Sequence, residues 1–340
     1  MPRLPSRLIV TLVGPALVMA ACGQASPSTA ARLDASPTVA APAGPSASVT
    51  SSPPERTPVG LRVTAVLSPI RLPSGLSRSV ALALGPDLLV CGGLTNGGTT
   101  SSILRVDLGS GRVSPIGVLS TAVHDAGGTV LDGVGYVVGG GNLVAETTIQ
   151  RIDSAGRATL IGQLPAARAD LAVAAVDGEI VIIGGGAPAR PDDRVLGTTD
   201  GKQVHPIGRL VVAVRYPAVA VVGGRVIVIG GSTSNGDSNL IQAFDPALGK
   251  SWIIGHLASP MSHATALVIG GVVLIAGGRI AGRAQDRILE LSLANGATTT
   301  VGRLPYAVSD AAGVVVDGTG YLIGGETSRP VPSVVIVSTR

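Results

Sequence analysis

Beyond residue 60 the chain is a succession of short apolar runs separated by turn residues. Every run is interrupted within about ten positions, well short of the ~20 that a membrane-spanning helix needs. The runs come in pairs joined by two turn residues, at Asp132-Gly133, Asp177-Gly178, Gly223-Gly224, Gly270-Gly271 and Asp317-Gly318, with Gly85-Pro86 as the variant. Such pairs supply the positive φ that a two-residue hairpin requires, so each pair of runs predicts a β-hairpin.

The second run of every hairpin ends in two adjacent glycines, the first of them Gly92, Gly139, Gly184, Gly230, Gly277 and Gly324, spaced by 47, 45, 46, 47 and 47 residues. After the glycines come a variable loop, a third run such as residues 103–108, 148–153 or 240–245, and a fourth that ends in Ile161-Gly162-Gln163-Leu164 or Ile254-Gly255-His256-Leu257. Six copies of a four-stranded unit at this period predict an all-β fold, a six-bladed β-propeller of antiparallel blades. The last unit reaches Arg340 after its third strand, while Arg62 to Leu67 followed by Leu72-Pro73 reads as a stray fourth strand. The N-terminal segment is therefore expected to complete the sixth blade and close the ring, which removes an exposed sheet edge.

The two ends of the chain differ in character. Arg3 and Arg7 precede an apolar stretch from Leu8 to Met19 and the sequence Met19-Ala20-Ala21-Cys22. This resembles a bacterial lipoprotein signal over residues 1–22, with Cys22 as the lipidated residue. Residues 23–60 are dominated by Ala, Ser, Pro and Thr and predict a disordered tether, since such a composition cannot offset ordering entropy by burial. The propeller occupies residues 61–340. The expected location is the extracytoplasmic face of a bacterial cell membrane, held through Cys22.

Composition narrows the picture further. Hydrophobic residues make up 45% of the chain but aromatic ones only 2%, so the core must be aliphatic. The formal charge of +4 falls to +2 without Arg3 and Arg7, which predicts no nucleic-acid partner. Cys91 is the only cysteine besides Cys22, so no disulfide is expected within the propeller.

Several stretches are similar to the Kelch repeat. Residues 226–231 give its strand ending in double glycine, Phe244-Asp245-Pro246 stands near its Tyr-Asp-Pro, and Trp252 falls at its fourth-strand tryptophan. Leu164-Pro165 with Arg168 looks like the Kelch approach to the first strand, and Tyr136 and Tyr321 match its strand tyrosine. The resemblance implies a scaffold used by binding proteins and by some enzymes.

Counting back 14 residues from each first glycine gives Arg78, Asp125, Asp170, Tyr216, His263 and Asp310. These positions predict a polar ring at the mouth of the central channel, with His124 and Arg215 one residue earlier and small apolar residues deeper. Two readings stay open: a solvated ion-pair network in which Arg78 bridges Asp310 and Asp125, or a site for a polar ligand such as a glycan. Loop charges on the same face, Arg190, Asp192, Asp193, Arg194, Arg279, Arg283, Asp286, Glu326 and Arg329, are expected to extend it.

Enzyme signatures are sparse. Tyr216, Tyr306, His124 and His263 invite comparison with the copper site of galactose oxidase, a Kelch-type propeller. Cys91, however, falls where the other units place Val, Ile or Ala, so it is expected in the core and no metal or cofactor is predicted. His205 and His256 are expected on outer strands. The sequence thus points to a monomeric binding or scaffolding propeller whose partner is a glycan or a cell-envelope protein. The alternative is a carbohydrate-active enzyme of epimerase or mutarotase type, with His263 and Asp310 as candidate acid and base.

Overall fold

The computed structural model describes residues 61–187 and 190–340. The signal sequence, Cys22 and the tether lie outside these residues. The described residues form strands and turns without a helix.

Six antiparallel sheets are arranged as the period predicts. Blade 1 consists of Val80–Leu84, Asp87–Cys91, Ser102–Val106 and Val113–Val118. Blade 2 consists of Gly127–Leu131, Val134–Val138, Thr148–Ile152 and Ala158–Gln163, and blade 3 of Ala169–Val176, Glu179–Ala187, Arg194–Thr198 and His205–Arg209. Blade 4 has Ala218–Val222, Arg225–Ile229, Leu240–Asp245 and Lys250–His256, and blade 5 Thr265–Ile269, Val272–Ala276, Arg283–Leu291 and Thr298–Val308. Blade 6 joins Ala312–Val316, Thr319–Ile323 and Val331–Thr339 to the N-terminal strand Val63–Leu76.

Ring closure follows the expected pairing. Val63 lies opposite Thr339 and Leu67 opposite Val335, and beyond two irregularities Leu76 lies opposite Val331. Arg62 and Arg340 exchange main-chain hydrogen bonds at 3.1 and 2.8 Å, so the two ends of the propeller hold each other. The closing strand ends beside Arg78 at the channel mouth, and its first residue therefore lies on the opposite face.

The core is divided among the seams between blades. Leu82, Leu89 and Ile103 of blade 1 pack with Val137 and Ile152 of blade 2, and corresponding aliphatic clusters fill the other five junctions. Each fully buried aliphatic side chain contributes about 1.5–3 kcal/mol relative to exposure. Cys91 belongs to the first cluster at 1% exposure, and burial pushes its thiol up to about 12. This inert position is the one expected from its register.

The double glycines are latches between blades. Each first glycine has φ between 59° and 65°. A side chain there would collide with a main-chain carbonyl of the next blade's approach, such as Val123 O at Gly92 or Leu76 O at Gly324. The second glycine donates its N–H to that same carbonyl, from Gly93 to Val123 at 2.8 Å through to Gly325 and Leu76 at 2.9 Å. Glycine is required on both counts, left-handed φ and close approach. Because Leu76 belongs to the closing strand, the same latch completes the ring.

In blades 2 and 4 a buried glutamine ties the third strand to the loop before the first. Gln150 Nε2 donates to Thr121 O at 3.1 Å while its Oε1 accepts from Thr121 N at 2.9 Å. Gln242 makes the same pair with Val212. In blade 3 the Kelch-like Arg168, 1% exposed, donates instead to Gly184 O, Arg194 O and Asp192.

Candidate functional site

The six residues found by counting from the glycines meet around one axis. Five stand just ahead of an innermost strand and Asp170 is the second residue of its own, and all six are non-glycine residues with positive φ, between 53° and 61°. That conformation lets each residue bond to its neighbour in the next blade. The N–H of Arg78 donates to Asp310 O, Asp125 to Arg78, Asp170 to Asp125, Tyr216 to Asp170, His263 to Tyr216 and Asp310 to His263, at 2.8 to 3.1 Å. The chain of donors returns to its start. The channel mouth is thus framed by a closed ring of main-chain hydrogen bonds, one per blade.

The side chains on this frame line a cavity of 120 Å³. Below it a second cavity of 250 Å³ is walled by small residues including Gly127, Gly128, Ala172, Ala218 and Ala312. Beside the mouth a groove of 550 Å³ is bounded by His124, Asp125, Arg215 and Tyr216 and by Leu143 and Val144. The last two are 96% and 71% exposed.

The charges of the mouth are linked into two groups. Arg78 bonds Asp125 at 3.1 Å and Glu326 at 3.0 Å, with Asp310 at 3.9 Å. Arg279 bonds Asp310 at 2.8 Å and Glu326 at 2.7 Å. His263 Nδ1 donates to Asp310 Oδ1 at 2.6 Å, and the Ser309 hydroxyl donates to Oδ2 at 2.6 Å. On the other side Arg215 grips Asp170 and lies over the Tyr216 ring, which stacks on His263 at 3.8 Å between centroids.

These surroundings separate the carboxyls. Burial pushes Asp125 up to about 7, with Asp170 and Asp310 adding repulsion that Arg78 offsets only in part. Burial also opposes ionisation of Asp310, but the hydrogen bonds from His263 and Ser309 and the charge of Arg78 outweigh it and hold the carboxyl below the usual range. Burial and the nearby Asp125 and Asp170 raise the Tyr216 phenol, so it stays protonated. Burial and then Arg78 lower His124, whose Nδ1 lies 2.9 Å from the Thr99 hydroxyl. Arg78 is disfavoured by burial, yet Asp125, Glu326 and Asp310 keep it firmly charged.

The expected bridge from Arg78 to Asp125 and Asp310 is present, and His263 and Asp310 are brought together. His124 and Arg215 both face the mouth. Among the loop charges, Arg279 and Glu326 join the rim, and sequence reasoning understated them. Both stand two positions after the first glycine, where the main chain bridges back to the residue just before the ring, as Ser262 does to Arg279 and Ser309 to Glu326. Asp192, expected to enrich the mouth, turns inward to Arg168 and Arg194, and Asp193 pairs with Arg209. Asp286 pairs outward with Arg303, and Arg190, Arg283 and Arg329 are exposed. His205 and His256 are exposed on outer strands. One further residue was missed: Ser79 lines both axial cavities, while its Oγ is buried without a hydrogen-bond partner and its Cβ lies against Gly93. Among the described residues no cluster of His, Cys, Asp and Glu is arranged to hold a metal ion.

The fourth blade carries the clearest family signal. Residues 213–254 match the Kelch motif. This Kelch segment contains Arg215 and Tyr216 of the mouth, and in it Arg225 lies over Trp252. A solved structure similar to the chain is that of YjhT, at 14% identity, with 79% of this chain and 99% of that chain covered and a TM-score of 0.70. At that identity the likeness is one of fold. Solved chains with significant similarity number 926, so the architecture by itself selects no function. A comparison with curated protein sequences gives no significant match.

Proposed function

We propose that this Kelch-type propeller is a ligand-binding protein whose channel mouth receives a small polar ligand, such as the end of a glycan. The observation that carries the reading is the convergence of six ring side chains, one from every blade, on a single concave cavity. Concave sites with a few convergent polar groups are where small ligands bind, whereas protein partners favour broader surfaces. The adjoining groove, with exposed Leu143 and Val144, offers room for a ligand that extends beyond the mouth. The test is a glycan array probed with the protein and with an Arg78→Ala, Asp125→Ala, His263→Ala triple variant. Binding that survives the triple substitution sinks the reading.

The reading includes a lipid anchor at Cys22 on the extracytoplasmic side of a bacterial membrane, supported by Arg3, Arg7 and Met19-Ala20-Ala21-Cys22. Incorporation of labelled palmitate that persists in Cys22→Ser would refute the anchor.

A second reading, acid–base chemistry on a bound sugar, is favoured by one observation. Asp125 holds its proton to about 7 while Asp310 is kept ionised, the opposed pair that proton transfer needs. Anomer interconversion followed by NMR, unchanged by Asp125→Asn, would remove it.

A further inference from the structure

Blades 2 and 4 each hold a primary carboxamide of their own. Gln150 donates to Thr121 O and accepts from Thr121 N, and Gln242 grips Val212 in the same way, at 3.1 and 2.9 Å in both blades. Thr121 and Val212 stand four residues before the ring residues Asp125 and Tyr216. Both glutamines are fully buried, Gln150 paired with Val137 and Gln242 with Val228 of the second strand. Blade 1 keeps this frame without the amide. Ser74 stands four residues before Arg78, and Leu104, paired with Val90, takes the place of the glutamine.

Ser74 and Leu104 wall a cavity of 280 Å³, together with Pro73 and Leu76 of the closing strand and Thr100 and Ser102 of blade 1. Leu104 is half-buried there, whereas the two glutamines are fully buried. The register of the closing strand passes from Arg71 to Leu76, so Ser74 has no partner in that ladder. Among the described residues its main chain makes no hydrogen bond outside the ladder either. The N–H and C=O of one residue are met together by a group with a donor and an acceptor on the same edge. A primary amide has both, while a carboxylate has acceptors alone. Pro73, Leu76 and Leu104 offer apolar contact to a hydrocarbon body. We infer that this cavity at the closing seam binds a small primary carboxamide, which pairs with Ser74 as Gln150 pairs with Thr121.

The full-length protein is titrated with propionamide and with benzamide, each against its carboxylate and its N,N-dimethylamide, while backbone NMR signals of Ser74, Thr100 and Leu104 are followed. The primary amides are expected to shift these signals and to bind about tenfold tighter than either counterpart, the worth of one hydrogen bond. Leu104→Gln supplies the carboxamide from the chain itself. It is expected to slow exchange of the Ser74 N–H severalfold and to weaken benzamide binding about tenfold. Leu104→Phe fills the same space without an amide and is expected to exclude benzamide while Ser74 exchanges as in the wild type. Carboxylates or dimethylamides that bind as well as the primary amides overturn recognition through Ser74. Primary amides that leave the three signals unmoved overturn the site, as does benzamide binding undiminished in both Leu104 variants. Ser74 exchange that does not slow in Leu104→Gln overturns the correspondence with blades 2 and 4 on which the inference stands.

Discussion

His263 and Asp310 are joined twice: the imidazole Nδ1 donates to the carboxylate at 2.6 Å, and the Asp310 N–H donates to the His263 carbonyl at 3.0 Å. The side-chain bond therefore sits on a fixed main-chain frame. His263→Ala is expected to raise the Asp310 pKa, because burial then meets less compensation, and to cost about 1.5–3 kcal/mol, the usual worth of a hydrogen bond to a charged group. Carboxyl carbon shifts against pH and urea unfolding give the two numbers. An Asp310 titration that stays where it is in the wild type would refute the coupling.

Asp125 makes stability depend on pH in a defined direction. The folded chain keeps its proton to about 7, whereas the unfolded chain releases it near the ordinary aspartate value of about 3.9. Between these values the native state binds more protons, so stability falls as pH rises, by up to about 1.4 kcal/mol per pH unit. Asp125→Asn removes that dependence. Its melting temperature relative to wild type should climb between about pH 4 and about pH 7 and level off above that. A constant difference across this range contradicts the assignment.

Tyr216 has φ of 53°, a conformation that asparagine tolerates and β-branched residues do not. Tyr216→Ile should be less stable than Tyr216→Asn by about 1–2 kcal/mol, the left-handed penalty for an ordinary side chain. Both substitutions remove the stacking on His263, so the comparison isolates the backbone. Calorimetric unfolding of the two variants gives the answer, and equal stabilities would mean that the turn relaxes.

Gln150 holds both polar groups of Thr121 from a fully buried position. Gln150→Leu leaves that N–H and C=O without their partner and should cost about 1–3 kcal/mol. Blades 1, 3 and 5 carry Leu104, Leu196 and Leu289 at the matching position, so the shape is tolerated and the loss is one of hydrogen bonding. Hydrogen exchange at Thr121 should quicken in the variant; unchanged protection would show that another group takes over.

The sequence made the propeller legible because glycine is the residue that both the left-handed turn and the close approach of Val123 O or Leu76 O allow. The ring residues could be counted out because they keep a constant distance from those glycines. Arg279 and Glu326 were visible only as loop charges, since their place on the rim depends on main-chain bridges to Ser262 and Ser309 that extend the inner hairpins of their own blades. Asp192 misled for the opposite reason. Its loop lies at the mouth, but the buried Arg168 draws the side chain into the blade. The elevated Asp125 pKa had no sequence signal at all, because it arises from burial and from Asp170 and Asp310 in other blades.

The closed ring of six main-chain hydrogen bonds makes the width of the aperture independent of what decorates it. Each donor and acceptor belongs to the peptide backbone, so replacing any of the six side chains refits the socket without reshaping its collar. A protein built this way can be retargeted one blade at a time, and an engineer can treat positions 78, 125, 170, 216, 263 and 310 as six interchangeable fittings, provided each residue accepts a left-handed backbone.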